Sequence, residues 1–135
     1  MSGRIFFAPV VVLLFALIWL YLEALRLSLF WNYWWFDLPV HALAGVFVAL
    51  LVFWYVRRIV AKLSWQALTL LAIVSSLVAA IFWEIFEFLF GVTFISSSYT
   101  VDTLLDIVMT ALGGIVALVY VVILRTNEAQ HAGDK

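Results

Sequence analysis

Four stretches of the chain are apolar almost without interruption: Ile5–Leu22, Leu38–Val56, Leu63–Trp83 and Ile107–Leu124. A bilayer is crossed by about 20 residues of helix. The pattern therefore predicts an all-α fold, an integral membrane bundle of four transmembrane helices. Only His41 interrupts the second stretch. The first is too long and too uniform for a signal-peptide core, and no small-x-small cleavage site follows it, so it is expected to be retained. Residues 126–135 are polar and are expected to form a disordered cytoplasmic tail, leaving a single transmembrane domain over 1–125. No internal repeat and no soluble domain is visible.

The polar positions at the ends of these stretches carry the second pattern. If Gly91 is taken as the residue that stops the third helix, Glu87 lies roughly 6 Å and Glu84 roughly 10 Å below the interface, at 1.5 Å per residue. Their i, i+3 spacing sets them on one face. Asp37 opens the second helix with His41 one turn deeper, and Asp102 opens the fourth with Asp106 one turn deeper. Three helices thus bring a polar pair to matched depth. Small residues run beneath each pair: Ala44, Gly45 and Ala49; Ser76 and Ala80; Thr110, Gly113, Gly114 and Ala117. Small residues let membrane helices approach closely. The last three helices are therefore expected to pack on one another, with Gly45, Ala80, Thr110, Gly113 and Gly114 at the contacts and the polar pairs around one pocket. The first helix, lacking such a pair, is expected to pack outside as a scaffold.

Charge orients the bundle. Arg57, Arg58 and Lys62 fill the short second connection, Arg4 precedes the first helix, and Arg125 and Lys135 follow the fourth. Six of the seven basic residues then share one side, which the positive-inside rule makes cytoplasmic together with both termini. The connection at 95–99 is expected to face outward, and six of the eight acids fall in the outer half. Trp31, Tyr33, Trp34 and Trp35 suit an outer interfacial segment, and Trp54, Tyr55 and Trp65 an inner aromatic belt. Composition agrees: 68% of residues are hydrophobic and 11% charged, with mean hydropathy +1.22. No basic tract suits nucleic acid, and the absence of cysteine excludes thiol chemistry and zinc–thiolate sites.

Each polar residue also has a structural reading. Asp37 suits a helix N-cap with Pro39 in the first turn, and Asp102 a favourable first turn. His41 suits an interhelical hydrogen bond, and Thr103-x-x-Asp106 matches a capping box. Glu84 and Glu87 have the weakest such readings; one of them lying near the headgroups or pairing with Arg26 is the structural alternative. His131 is incidental. Ionisable residues inside a membrane are functional candidates by default, so Asp37, His41, Glu84, Glu87, Asp102 and Asp106 form the candidate pocket. Six such groups in one place either share protons or hold a cation. A divalent metal is the expected cofactor, with His41, Glu84, Glu87 and Asp106 as ligands. Zn²⁺ or Mn²⁺ suits a site with histidine, Mg²⁺ or Ca²⁺ a carboxylate site. Glu-x-x-His is absent, so the di-iron bundle signature is not met.

Asp37-x-x-x-His41-x-x-x-Gly45, Glu84-x-x-Glu87 and Asp102-Thr103-x-x-Asp106 with Gly113-Gly114 resemble the YjdF-like family of small bacterial inner-membrane proteins. They are also similar to the VanZ-like family, with Glu87 at the glutamine position and Thr110 at the asparagine position of that pattern. The YjdF-type arginine is Leu38, and the Gln-Gly-Asp segment is missing. The resemblance spans roughly 37–114. It implies a polytopic fold with polar residues inside the bundle, a multi-pass protein of the inner membrane, and for VanZ-like proteins an association with glycopeptide resistance at the envelope.

Two functions follow as expectations. One is an accessory envelope protein whose outward pocket binds a cation or polar headgroup, or joins a membrane partner protein. The other is a metal-assisted hydrolase or transferase acting on a lipid or lipid-linked substrate, with no assignable catalytic residue: no Ser/His nucleophile pair and no Arg/Lys cluster for phosphate is present. A transporter ranks last, because the inner halves offer only Thr69, Ser75 and Ser76 as a polar path.

Overall fold

The computed structural model describes residues 3–90 and 99–133. Six helices follow in order: α1 (Gly3–Arg26), α2 (Leu29–Asn32), α3 (Asp37–Tyr55), α4 (Arg57–Val60), α5 (Trp65–Phe90) and α6 (Tyr99–Gly133). Four of them, α1, α3, α5 and α6, are long and apolar enough to cross a membrane. The expected four-span, all-helical bundle is thus present, and the described residues contain no strand.

Helix limits differ from the hydropathy pattern mainly at polar ends. The fourth span opens at Tyr99 rather than Ile107, so Asp102 and Asp106 lie inside the helix. The i→i−4 hydrogen bonds of a helix do not depend on side-chain polarity, so two aspartates end an apolar run without ending the helix. The tail expected to be disordered from Thr126 continues α6 to Gly133, which corrects that expectation. Thr126 Oγ1 donates to Ile123 O at 2.9 Å within the turn. The helix stop assigned to Gly91, and residues 95–98 of the outward connection, lie outside the described residues.

The third element, α3, is the centre of the bundle: it packs on α6 over its length and also on α1 and α5. Glycine makes the α3–α6 contact possible. A Cβ at Gly45 would lie inside the carbonyl of Thr110, and one at Gly113 inside the carbonyl of Ala42 and 2.8 Å from Val46 N. No real side chain fits either position. Gly114 faces α5, where a Cβ would overlap Ser76 Oγ and stand 2.9 Å from Ala72 O. The Ser76 hydroxyl donates to Gly45 O at 3.4 Å, so one side chain sits at the junction of α3, α5 and α6. Interhelical bonds of this kind contribute on the order of 1 kcal/mol in a membrane.

The buried faces have three tiers. On α5 the buried positions are Leu68, Ala72, Ser76, Ala80, Glu84 and Glu87, a single stripe at three- and four-residue spacing. On α6 Asp106 and Thr110 come first, then Gly113, Gly114 and Ala117, then Val121. On α3 the order is His41, Gly45, Ala49, Leu50 and Phe53. Polar groups therefore occupy one pole, small residues the middle, and bulky apolar groups the other pole. There Phe6 and Val10 of α1 join Leu50, Phe53, Leu68 and Val121 in the apolar core.

Basic groups gather at the apolar-core pole. Arg125 Nη1 and Nη2 donate to the carbonyls of Leu63 (3.1 Å) and Ala61 (3.2 Å), and its guanidinium lies 4.7 Å from the Trp65 ring centre. Arg57 donates to Trp54 O at 2.9 Å and lies over the Trp54 ring. Tyr120 OH donates to Ile5 O at 2.9 Å, tying α1 to the same end of α6. At the polar pole Arg26 pairs with Glu23, Nη2 to Oε2 at 2.6 Å, rather than with Glu84 or Glu87. The chain reverses after α1 at Ser28, whose φ of 55° is in the left-handed region. Phe30 then tucks between Tyr21 and Phe36, each ring centre 5.5 Å away. Trp31, Tyr33, Trp34 and Trp35 are exposed.

Gly45→Ala is expected to lower bundle stability by about 1–3 kcal/mol, the usual cost of forcing a methyl into a packed contact. Thermal unfolding in detergent measures it. An unchanged midpoint would show that the α3 and α6 backbones do not touch at Thr110.

Candidate functional site

The polar pole is assembled by helix register. Asp37 and His41 are separated by four residues on α3 and project from the same face. Asp106 and Thr110 have the same spacing on α6, directly across the glycine contact. His41 Nε2 lies 3.6 Å from Asp37 Oδ2 and 3.9 Å from Asp106 Oδ1. His41 is 5% exposed and Asp106 2%. One ligand atom from each of Asp37, His41 and Asp106 falls within 4.8 Å of the others.

The hydrogen bonds fix how the imidazole faces this group. Thr110 Oγ1 donates to Asp106 O at 2.7 Å, as threonines in helices often do toward the preceding turn. Its single proton is thereby committed, so toward His41 Nδ1, 3.3 Å away, it acts as acceptor. Nδ1 is then the protonated ring nitrogen, and Nε2 points between the two aspartates. The separations from Nε2 are too long for direct hydrogen bonds, and Asp106 Oδ1 has no hydrogen-bond partner among the described residues. A neutral Nε2 lone pair facing two carboxylates repels them. A shared proton or a cation between the three groups removes that repulsion. Metal–ligand bonds of about 2.0–2.6 Å put neighbouring ligand atoms roughly 3–4.5 Å apart, and both separations from Nε2, 3.6 and 3.9 Å, fall in that range. The Nδ1–H···Thr110 bond is the kind of outer contact that orients a metal-binding imidazole.

The two glutamates are buried on α5 but stand outside that three-residue group. Glu87 Oε1 accepts from Trp83 Nε1 at 2.9 Å. Glu84 Oε1 and Thr103 Oγ1 are buried without a hydrogen-bond partner among the described residues. Asp102 is half-buried in the first turn of α6, as its structural reading required. Thr103 lies in the second turn, so Thr103-x-x-Asp106 is no capping box. Asp37 is the first residue of α3 after the N-cap Phe36, so it is not the cap. The hydrogen bond expected of His41 is present, and it runs to Thr110.

Beside the group, between α1, α3 and α5, lies a cavity of about 390 Å³. Asp37, His41, Glu87, Tyr21, Trp83 and Thr110 are its lining residues with polar side-chain atoms, and most of the wall is apolar. Three of these, Thr110, Trp83 and Tyr21, lie outside the six candidate pocket residues read from the sequence. Thr110 stands there as a packing residue and at the asparagine position of the VanZ-like pattern. Trp83 was readable from its i, i+4 spacing to Glu87. Tyr21 carries no such signal, because one hydroxyl in an apolar run does not report which way it faces.

Fold and site together define a small polytopic membrane protein with an Asp–His–Asp group at one pole of its bundle. The chain belongs to the family described as "Predicted membrane protein (DUF2238)", whose model matches residues 4–127. No curated protein and no solved structure matches it.

Thr110→Val, which keeps the shape and removes the acceptor for His41 Nδ1–H, is expected to destabilise the bundle by about 1–3 kcal/mol. Thr110→Ser should stay near wild type. With only two histidines in the chain, ¹⁵N NMR of labelled protein resolves the His41 ring. It should report the Nδ1–H form in wild type and lose that preference in Thr110→Val.

Proposed function

We propose that the protein binds a divalent cation at Asp37, His41 and Asp106, as an accessory protein of the bacterial inner membrane. The supporting observation is the buried Oδ1 of Asp106, unpartnered among the described residues and 3.9 Å from a histidine nitrogen whose opposite nitrogen is engaged. A histidine with two carboxylates suits Zn²⁺ or Mn²⁺ better than Ca²⁺ or Mg²⁺. Glu84 and Glu87 belong to this reading as a flanking acidic wall. The likeness of the polar motifs to YjdF-like and VanZ-like proteins supports an envelope role. A second reading is a metal-assisted hydrolase or transferase on a lipid-linked substrate. It draws support from the cavity, since Asp37 and His41 both face it and a metal there would meet whatever enters.

The basic groups at the apolar-core pole support an inward orientation for that end, with both termini cytoplasmic and the Asp–His–Asp group outward. Labelling of intact cells checks this. Asn32→Cys is expected to react with an impermeant maleimide and Lys62→Cys only after permeabilisation; the reverse pattern would place the acidic pole inside.

The cation reading is checked by elemental analysis of purified protein and by thermal unfolding with chelator or added Zn²⁺ or Mn²⁺. At a hundredfold excess over Kd, binding stabilises the native state by about 2.7 kcal/mol. Wild type should show a shift of that order, and Asp106→Asn none. Without metal, Asp106→Asn should be neutral or stabilising, because the uncompensated buried charge is gone. Equal responses in the two proteins would defeat the cation site and leave a proton shared among the three groups.

A further inference from the structure

The cavity between α1, α3 and α5 is built unlike the rest of the bundle. Helix α1 leans on α3 and makes no extended contact with α5. The space between α1 and α5 is closed at the polar pole by Tyr21 against Trp83, ring centres 6.4 Å apart at 89°. Ile18, Leu22 and Trp83 line the cavity and are also exposed on the outer surface of the bundle, so it opens sideways toward lipid. Its walls are apolar along Leu17, Val40, Ala44, Val48 and Ala79.

Two dimensions select the occupant. From Asp37 to Val48 the cavity follows α3 for about 16 Å at 1.5 Å per residue. Half of a hydrocarbon core of about 30 Å is roughly 15 Å, the depth of one leaflet's chain. The volume lies in the usual range for a small-molecule site, about 300–1,000 Å³. The polar end carries two carboxylates, Asp37 and Glu87, and among the described residues no Lys or Arg lines the cavity. Trp83 holds Glu87 by Oε1, which fixes the carboxylate at the cavity's edge. A phosphate head would meet the like charge of Glu87, and an uncharged head would leave that carboxylate, which stands outside the Asp–His–Asp group, without a counter-charge in apolar surroundings.

We propose that this cavity is a binding site for a long-chain ammonium amphiphile: one alkyl chain enters laterally between α1 and α5, and its ammonium group sits against the Glu87 carboxylate. The proposal goes beyond the divalent-cation reading and needs only the charge of Glu87, which lies outside the Asp–His–Asp group.

The test uses full-length protein in phosphatidylglycerol vesicles, which supply no ammonium, and a long-chain primary alkylamine with a diazirine in mid-chain. Mass spectrometry reads the adduct positions. Adducts at Ala44, Val48 and Ala79 are expected to be displaced by excess unlabelled alkylamine, while adducts on exposed Val12 and Leu70 are not. The same chain ending in a hydroxyl or a phosphate should give at least tenfold fewer displaceable cavity adducts, and Glu87→Gln should erase that preference. Val48→Phe and Ala79→Phe, each filling the space from a different helix, should both abolish cavity labelling and keep the metal-dependent unfolding shift. Absence of displaceable cavity adducts in wild type would overturn the chain site. Equal labelling by all three heads would overturn the ammonium assignment. Loss of the metal shift with labelling intact would defeat the divalent-cation reading and leave this proposal supported.

Discussion

The structure depends on backbone touching backbone between α3 and α6. In lipid there is no hydrophobic gain from bringing two apolar helices together, since the surrounding chains are as apolar as the helix faces. Dispersion between closely approaching atoms supplies the attraction instead, and it falls away within an ångström of extra separation. Gly45 and Gly113 allow that approach from opposite sides, each lying against the other helix's carbonyl groups. The same contact sets the register in which His41 and Thr110, one turn away on either helix, can meet. The site is therefore a by-product of the packing: displacing α6 by one residue would carry Asp106 and Thr110 away from the imidazole.

Polar groups at the same pole make the bundle less stable than an apolar replacement would, because buried carboxylates lose hydration. Asp106 and Glu84 each keep an oxygen without a hydrogen-bond partner among the described residues. Natural structures seldom leave such groups unmet. Their concentration at one pole, with the opposite pole filled by Phe6, Phe53 and Leu68, separates the part of the molecule that holds it together from the part available for binding.

Much of this was legible in the sequence, and the limits are physical. Four long apolar runs name four spans, because few other structures tolerate such segments. Small residues expected at the contacts of α3, α5 and α6, Gly45, Ala80, Gly113 and Gly114, are all buried. Position along a helix follows from residue spacing, and rotation about the helix axis toward a particular neighbour does not. Asp37 and Glu87 lie at the same expected depth, yet Asp37 joins His41 and Asp106 while Glu87 turns to Trp83 and the cavity. Hydropathy cannot supply that rotation where lipid and protein interior are equally apolar. Thr110 was hidden for a related reason: a threonine in a membrane helix satisfies itself on its own backbone, and here it does so while also serving the histidine.

The way α1 is held makes it a lever. Its N-terminal end is fixed by the fully buried Phe6, by Phe7 against Trp54 and by the bond from Tyr120 to Ile5. At the far end Tyr21 packs on Phe30, and toward α5 it sets the edge of one ring on another, Tyr21 on Trp83. Between Phe6 and Tyr21 the helix is about 22 Å long at 1.5 Å per residue. A tilt of roughly 10° about the fixed end carries Tyr21 sideways by about 4 Å on that arm length. Such a swing would part the two rings and change the width of the lateral opening, sliding Tyr21 along Phe30, while the glycine seam lies between α3 and α6, away from α1. Admission to the cavity and closure of the bundle thus rest on different contacts.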